Sequence, residues 1–141
     1  MRRLNLLIVG FFIILFVLST FHASSSEAPQ GEKSKWVAPT WADTLKNSFE
    51  KDPAAWKEGK KIYSQLCFVC HGNKGRGDGI AGGSLKPRPT DLTSEQFQKQ
   101  SDGAIFWKIT AGNPPMASYK EVLSEEKRWQ LVNFIRELGK K

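Results

Sequence analysis

The chain has 141 residues, and its 21 lysines and arginines against 14 aspartates and glutamates give a formal net charge of +7 at pH 7. This length allows one small domain together with a targeting segment and a tail. The lysines are scattered and no recognition motif accompanies them, so the charge does not indicate a nucleic-acid-binding protein. It fits either a soluble lysine-rich surface or steering towards an acidic protein partner.

Residues 1–25 have the composition of a secretory signal. Arg2 and Arg3 precede an apolar run over 4–18, and small polar residues follow. The run is short for a membrane span, although counting through Phe21 brings it within range. We therefore expect either a cleaved signal peptide or an uncleaved membrane anchor. In both cases the folded part lies in the periplasm or at the outer face of the cytoplasmic membrane.

Residues 26–50 are predicted to form a linker, and residues 51–141 the folded domain. The linker begins with a stretch rich in Ser, Lys, Pro and Gln that has no apolar period. Apolar groups return at 41–49, where we expect a short helix lying over the domain. Its Trp41 is expected to be a packing residue, with contact to a partner as the alternative.

The first long helix is predicted to start at Asp52 and Pro53, an N-cap acid followed by proline at the first helical position. Apolar residues over 54–66 recur at helical spacing on the face that contains Gly59. A glycine inside a helix costs about 1 kcal/mol relative to alanine, so Gly59 indicates the close approach of another element.

The motif with the clearest chemistry is Cys67, Cys70 and His71, which contains both cysteines of the chain. This is the spacing of covalent haem attachment. Cysteines at i and i+3 on a helical turn point the same way, so each sulfur can reach one vinyl group of a porphyrin. The imidazole that follows can bind the iron.

A cysteine pair at this spacing has three other possible uses. A redox-active pair is not favoured, because no βαβ pattern surrounds it. A structural zinc site needs four ligands, more than the two cysteines and one histidine of the folded part provide. A disulfide between Cys67 and Cys70 is the remaining alternative.

The segment 72–79 is rich in glycine, but it fits neither a nucleotide-binding loop nor a calcium loop. We expect it to turn tightly beside the porphyrin with positive φ angles, which glycine tolerates. The stiff segment 86–92 follows and contains Arg88. This side chain is expected either to be exposed or to pair with a haem propionate, because a guanidinium group suits a carboxylate.

Met116 is the candidate for the second axial ligand of a six-coordinate iron. The other methionine and the other histidine of the chain are Met1 and His22, both in the targeting segment. Ligation by His71 and Met116 would raise the reduction potential and fill both axial positions. It therefore favours electron transfer and predicts that the protein is not an enzyme.

Two more helices are predicted after the proline-rich segment. One opens at Ser101, and the last opens at the N-cap Ser124 with two glutamates in its first turn and ends at Gly139. We expect the last helix to cross the first at Gly59, with an aromatic side chain close to the backbone of the first helix.

Over residues 50–139 the chain resembles class I cytochromes c, specifically small bacterial monohaem cytochromes. The matching segments are 59–63, 67–72, 75–79, Met116 and 129–136. The resemblance implies an all-α cytochrome c fold around one haem c, with thioether bonds at Cys67 and Cys70, His71 proximal and Met116 distal. It also implies an exposed haem edge for redox partners. Many relatives have proline directly after the ligand methionine, whereas this chain has Ala117.

The leading hypothesis is an electron carrier between a quinol-oxidising complex and a terminal oxidase or reductase in a bacterial respiratory chain. The alternative is a fixed haem subunit of a larger membrane oxidoreductase, held by the N-terminal segment. A haem enzyme or gas sensor with an open axial position is a third hypothesis, from a different functional class.

Overall fold

The computed structural model describes residues 36–140. Within that range the secondary structure is helical, apart from one isolated bridge between Asn113 and Met116. The α-helices are α1 (Ala55–Leu66), α2 (Phe68–His71), α3 (Glu95–Gln98), α4 (Asp102–Ala111) and α5 (Glu125–Gly139), and 3-10 turns occur at Thr40–Thr44 and Gly82–Ser84. The predicted all-α fold is confirmed for this part of the chain.

Between residues 36 and 140, no helix has both the length and the apolar character needed to cross a membrane. The signal peptide or anchor predicted at 1–25 lies outside the described residues, as does the linker prediction for 26–35.

Helices α1 and α5 pack closely at Gly59. A Cβ atom at this position would lie 1.9 Å from the carbonyl oxygen of Gln130 and 2.9 Å from the Cβ of Phe134. One turn further along α1, the ring of Tyr63 packs against Phe134 with the ring centroids 5.1 Å apart. The crossing predicted from the mid-helix glycine is therefore confirmed, and an aromatic side chain of the last helix lies at the contact.

The hydrophobic core lies between α1, α4 and α5. Its most completely buried large side chains are Tyr63, Ile105, Leu131 and Val132. Beside them Phe106 of α4 stacks on Trp129 of α5, with centroids 4.0 Å apart and ring planes at 16°. Burying an aliphatic or aromatic side chain of this size stabilises a fold by about 1.5–3 kcal/mol. This core fixes α4 to α5, and α4 leads into the loop that carries Met116.

Two of the three predicted helix starts are confirmed at the predicted residue. Ser101 caps α4 and Ser124 caps α5, because each hydroxyl accepts a hydrogen bond from the backbone N–H three residues later, at 3.0 and 3.3 Å. The first helix begins later than predicted, at Ala55. The carboxylate of Asp52 instead accepts from the N–H of Ala54 at 2.8 Å, so it stabilises the turn before the helix.

The segment 36–50, assigned to a linker from the sequence, packs on the helices. Ala42 is fully buried, and its carbonyl oxygen would lie 1.9 Å from a Cβ atom at Gly103. Further along, the side-chain amide of Asn133 donates to the carbonyl of Phe49 at 2.9 Å. These contacts join the segment to both α4 and α5.

The short helix expected over 41–49 is a 3-10 turn at Thr40–Thr44 followed by a further turn. Trp41 is 56% exposed, so the prediction that it packs in the fold is wrong. The inward position of this turn is taken by Ala42, and the lack of a side chain at Gly103 gives its backbone carbonyl room to lie against α4.

Arg136 of α5 fixes the junction between α3 and α4. Its Nε donates to the carboxylate of Asp102 at 2.7 Å, and its two Nη atoms donate to the carbonyls of Gln98 and Gln100 at 2.7 and 2.6 Å. Both side chains of the ion pair are mostly buried, at 24% and 28% exposed. Arg136 therefore stabilises this junction through charged hydrogen bonds to the carboxylate and to the two carbonyls.

Candidate functional site

Cys67, Cys70 and His71 lie on one helical turn, residues 67–71, which we call the cysteine turn. Cys67 is the junction between α1 and α2, and the backbone N–H groups of Cys70 and His71 both point to its carbonyl, at 3.2 and 2.9 Å. Both cysteines are free thiols and partly exposed. The structure thus brings together the three residues of the motif, with the two sulfurs unlinked to one another.

The acidity of Cys67 is not that of a redox-active thiol. Burial, and after it the neighbouring Cys70, raise the pKa of the Cys67 thiol to about 12. Thiols that exchange disulfides have lowered pKa values, because the thiolate is the nucleophile. Cys67 therefore remains a neutral thiol at neutral pH, in keeping with the expectation that the pair does not catalyse disulfide exchange.

His71 has the protonation state that a metal ligand requires. Its Nδ1 lies 3.3 Å from the carbonyl oxygen of Thr90, which can only accept, so Nδ1 carries the proton and Nε2 keeps its lone pair. Burial lowers the pKa of His71, and the hydrogen bond to Thr90 opposes this effect. The ring is thus held in the neutral form with Nε2 available.

The glycine-rich loop caps the short helix α2. Three backbone hydrogen bonds run from Gly77 to His71 at 2.9 Å, from Gly79 to Cys70 at 3.2 Å and from Ala81 to Val69 at 2.9 Å. They satisfy carbonyl groups that the end of a helix leaves without partners. The loop therefore holds the cysteine turn in place through its backbone.

Glycine is required in this loop for two reasons. Gly72, Gly75 and Gly77 have φ angles of 77°, 76° and 74°, as the sequence predicted for a tight turn. Gly79 has no room for a side chain, since a Cβ atom would lie 2.4 Å from the carbonyl oxygen of Val69.

Met116 lies on a different element, the loop between α4 and α5, and is partly buried. Asn113 and Met116 donate to each other's carbonyls at 2.9 Å in both directions, which closes a tight turn around the two prolines. Two residues later, the hydroxyl of Ser118 donates to the carbonyl of Thr110 at 2.6 Å. The loop thus leaves α4 and returns to it.

Tyr119 connects this loop to the cysteine turn. Its hydroxyl donates to the carbonyl of Leu66 at 3.3 Å, and Leu66 directly precedes Cys67. Tyr119 was not predicted from the sequence as part of the site, although its position three residues after the candidate ligand Met116 was an available signal.

Arg88 is exposed and lies two residues before Thr90, the partner of His71. Its pairing with a propionate stays a prediction. The donor set of the site as a whole fits a haem: two free thiols and a neutral imidazole with a free Nε2 share one turn, and a thioether is carried by a neighbouring loop. Thiols, imidazole and thioether are the groups that attach and ligate haem in c-type cytochromes.

Comparisons with known proteins identify the family of the chain. Residues 54–135 match the family described as cytochrome c oxidase, cbb3-type, subunit III. No curated protein matches the chain.

The solved structures that are similar to the chain include two with 31% and 28% identity. One is the KustC0563 c-type cytochrome, with 31% identity and a TM-score of 0.49, covering 57% of this chain and 95% of that chain. The other is from the Kuenenia stuttgartiensis reducing HAO-like protein complex Kustc0457/Kustc0458, with 28% identity and a TM-score of 0.57. That match covers 67% of this chain and 49% of the other, so this chain spans about half of its length.

The family match covers more than half of the chain and includes the whole cysteine turn. The helical fold of the described residues is consistent with it. The chain therefore belongs to the family described as cytochrome c oxidase, cbb3-type, subunit III. As a member of this family of cytochrome c domains, it binds haem c covalently and transfers electrons.

Proposed function

We propose that the chain is a monohaem electron carrier of a bacterial respiratory chain, located outside the cytoplasmic membrane. The observation that carries this proposal is the turn at 67–71, where two free thiols and a neutral imidazole lie side by side. One haem per chain is supported by composition, since the chain has two cysteines. The export pattern at 1–25 supports the location.

Each side chain of the site has a separate role in this proposal. Cys67 and Cys70 attach the haem, and His71 binds the iron through Nε2. Met116 provides the second axial ligand, a soft thioether that favours the ferrous state and so raises the reduction potential. Arg88, two residues before the Thr90 partner of His71, pairs with a haem propionate. The haem, when bound, supplies one-electron redox chemistry.

The proposed ligand set also argues against an enzyme. With His71 and Met116 both bound, the iron has no open position for oxygen or a substrate. The partners are then redox proteins, namely a quinol-oxidising complex and a terminal oxidase or reductase. The net charge of +7 suits short-lived docking on acidic surfaces, which salt weakens.

Replacing Met116 by alanine tests the ligand assignment. The ferric wild-type protein, matured with haem, is expected to show the weak near-infrared band of a sulfur–iron bond, and Met116→Ala is expected to lose it completely. The reduction potential should fall, because the thioether no longer favours ferrous iron. Absorption spectra and a redox titration measure both effects.

Val122→Ala is the matched control for this substitution. It shortens another apolar side chain between α4 and α5, one that is 64% exposed, without removing a sulfur. A band that persists in Met116→Ala would contradict the ligand assignment, and a chain that matures without haem would contradict the proposed function.

A fixed subunit of a membrane oxidoreductase is the second candidate. It is favoured by the description of the matching family as an oxidase subunit and by the similarity to a chain from a protein complex. Electron carriers bind their partners weakly, through small interfaces. After solubilisation in mild detergent and size-exclusion chromatography, a carrier is expected to elute alone. Co-elution with other subunits through a high-salt wash would favour the fixed subunit.

A further inference from the structure

The loop that carries Met116 is anchored at both of its ends to one turn of α4. We call residues 112–119 the methionine loop. At its start the N–H of Gly112 donates to the carbonyl of Lys108 at 2.9 Å. At its end the N–H of Tyr119 donates to the carbonyl of Ile109 at 3.1 Å. These two bonds fix both ends of the methionine loop on α4. The orientation of the loop towards the cysteine turn then depends on contacts with elements other than α4.

Tyr119 makes such a contact. Its side chain packs against the hydrophobic core, and its hydroxyl reaches the carbonyl of Leu66 at 3.3 Å, across 53 positions of sequence. Leu66 is the last residue of α1, where helix carbonyls lack partners within the helix. The tyrosine therefore joins the methionine loop to the residue that precedes Cys67.

The hydroxyl of Tyr119 is a donor throughout the neutral pH range. Burial, and then the nearby Cys67 and Cys70, raise the pKa of Tyr119. A carbonyl oxygen can only accept, so this contact requires the protonated hydroxyl.

We propose that Tyr119 is a positioning residue that holds the methionine loop against the cysteine turn and so keeps Met116 on the iron. This inference rests on the proposed function, because it requires Met116 to be the axial ligand. If the contact is lost, the loop opens more often. An external ligand then binds more tightly in proportion to the fraction of open molecules.

Imidazole titration of the ferric holoprotein measures this opening. Tyr119→Phe keeps the ring and removes the hydroxyl, and it is expected to bind imidazole about two- to tenfold more tightly than wild type, the factor expected for one hydrogen bond. Met116→Ala removes the proposed axial ligand, so its axial position is always open. This variant should bind imidazole most tightly and gives the upper limit of the affinity.

Tyr63→Phe is the matched control, since Tyr63 is the other tyrosine of the chain. Its hydroxyl donates to the carbonyl of Gly72 at 2.6 Å, on the His71 side of the site. Its loss should lower the thermal stability and leave the imidazole affinity within twofold of wild type.

The possible outcomes separate this proposal from the one it rests on. An unchanged affinity in Tyr119→Phe would overturn the positioning role, and so would an equal increase in Tyr63→Phe, which would reveal general loosening of the fold. A wild-type affinity as tight as that of Met116→Ala would instead overturn the assignment of Met116 as the ligand, and the positioning role with it.

Discussion

Replacing Gly59 by leucine is expected to lower the free energy of unfolding of the holoprotein by about 3 kcal/mol or more. The first added carbon would lie 1.9 Å from the carbonyl oxygen of Gln130, a backbone atom that cannot rotate away. Helices α1 and α5 would have to separate, which would disrupt the packing of Tyr63 on Phe134. Thermal unfolding followed by circular dichroism should show a midpoint lower by more than about 10 °C.

Gly83→Leu is the matched control. A Cβ atom at Gly83 would meet no heavy atom within 4 Å, and its backbone does not have a positive φ angle. The same substitution there should leave the midpoint nearly unchanged. Equal midpoints for the two variants would mean that the close approach of α1 and α5 at Gly59 does not limit stability.

The features that the sequence predicted well have local signatures. A glycine in the middle of a helix is unfavourable unless another element needs the space, and Gly59 meets the backbone of α5. Ser101 and Ser124 were recognisable because an N-cap hydroxyl binds an N–H only three residues away. Such signals depend on short-range chemistry and are visible without the fold.

The outward orientation of Trp41 could not be predicted in the same way. Whether this large apolar residue is buried depends on what lies opposite. The inward position belongs to Ala42, whose backbone carbonyl lies in the space that Gly103, about 60 positions away, leaves open. A pattern of apolar residues indicates that a segment packs on the domain. It does not identify which side chain of the segment is buried when the facing element is distant in sequence.

The residues of the candidate site also differ in whether the sequence could predict their contacts. The spacing of Cys67, Cys70 and His71 was sufficient to predict their shared turn, which the structure confirms. The partner of His71 was not predictable, because Thr90 contributes a backbone carbonyl and every residue has one. Tyr119 was missed because its contact with Leu66 arises only when the methionine loop folds back towards α1.

Replacing both Cys67 and Cys70 by serine is expected to abolish covalent haem completely. A serine hydroxyl does not form the thioether bond to a vinyl group, and the chain has no other cysteine. Each single variant keeps one thiol and should retain a covalent haem through one bond. Haem staining of a denaturing gel, together with extraction into acidified organic solvent, distinguishes attached from free haem.

Val69→Ser is the control for this experiment, because it introduces serine into the same turn at a side chain that is 37% exposed. It should keep both covalent bonds. Covalent haem in the double variant would contradict attachment at the two cysteines. Haem that is bound but fully extractable would instead show that the domain can hold the haem without covalent bonds. The two thioethers would then serve to keep the haem in a domain of about 100 residues, whose own core is small.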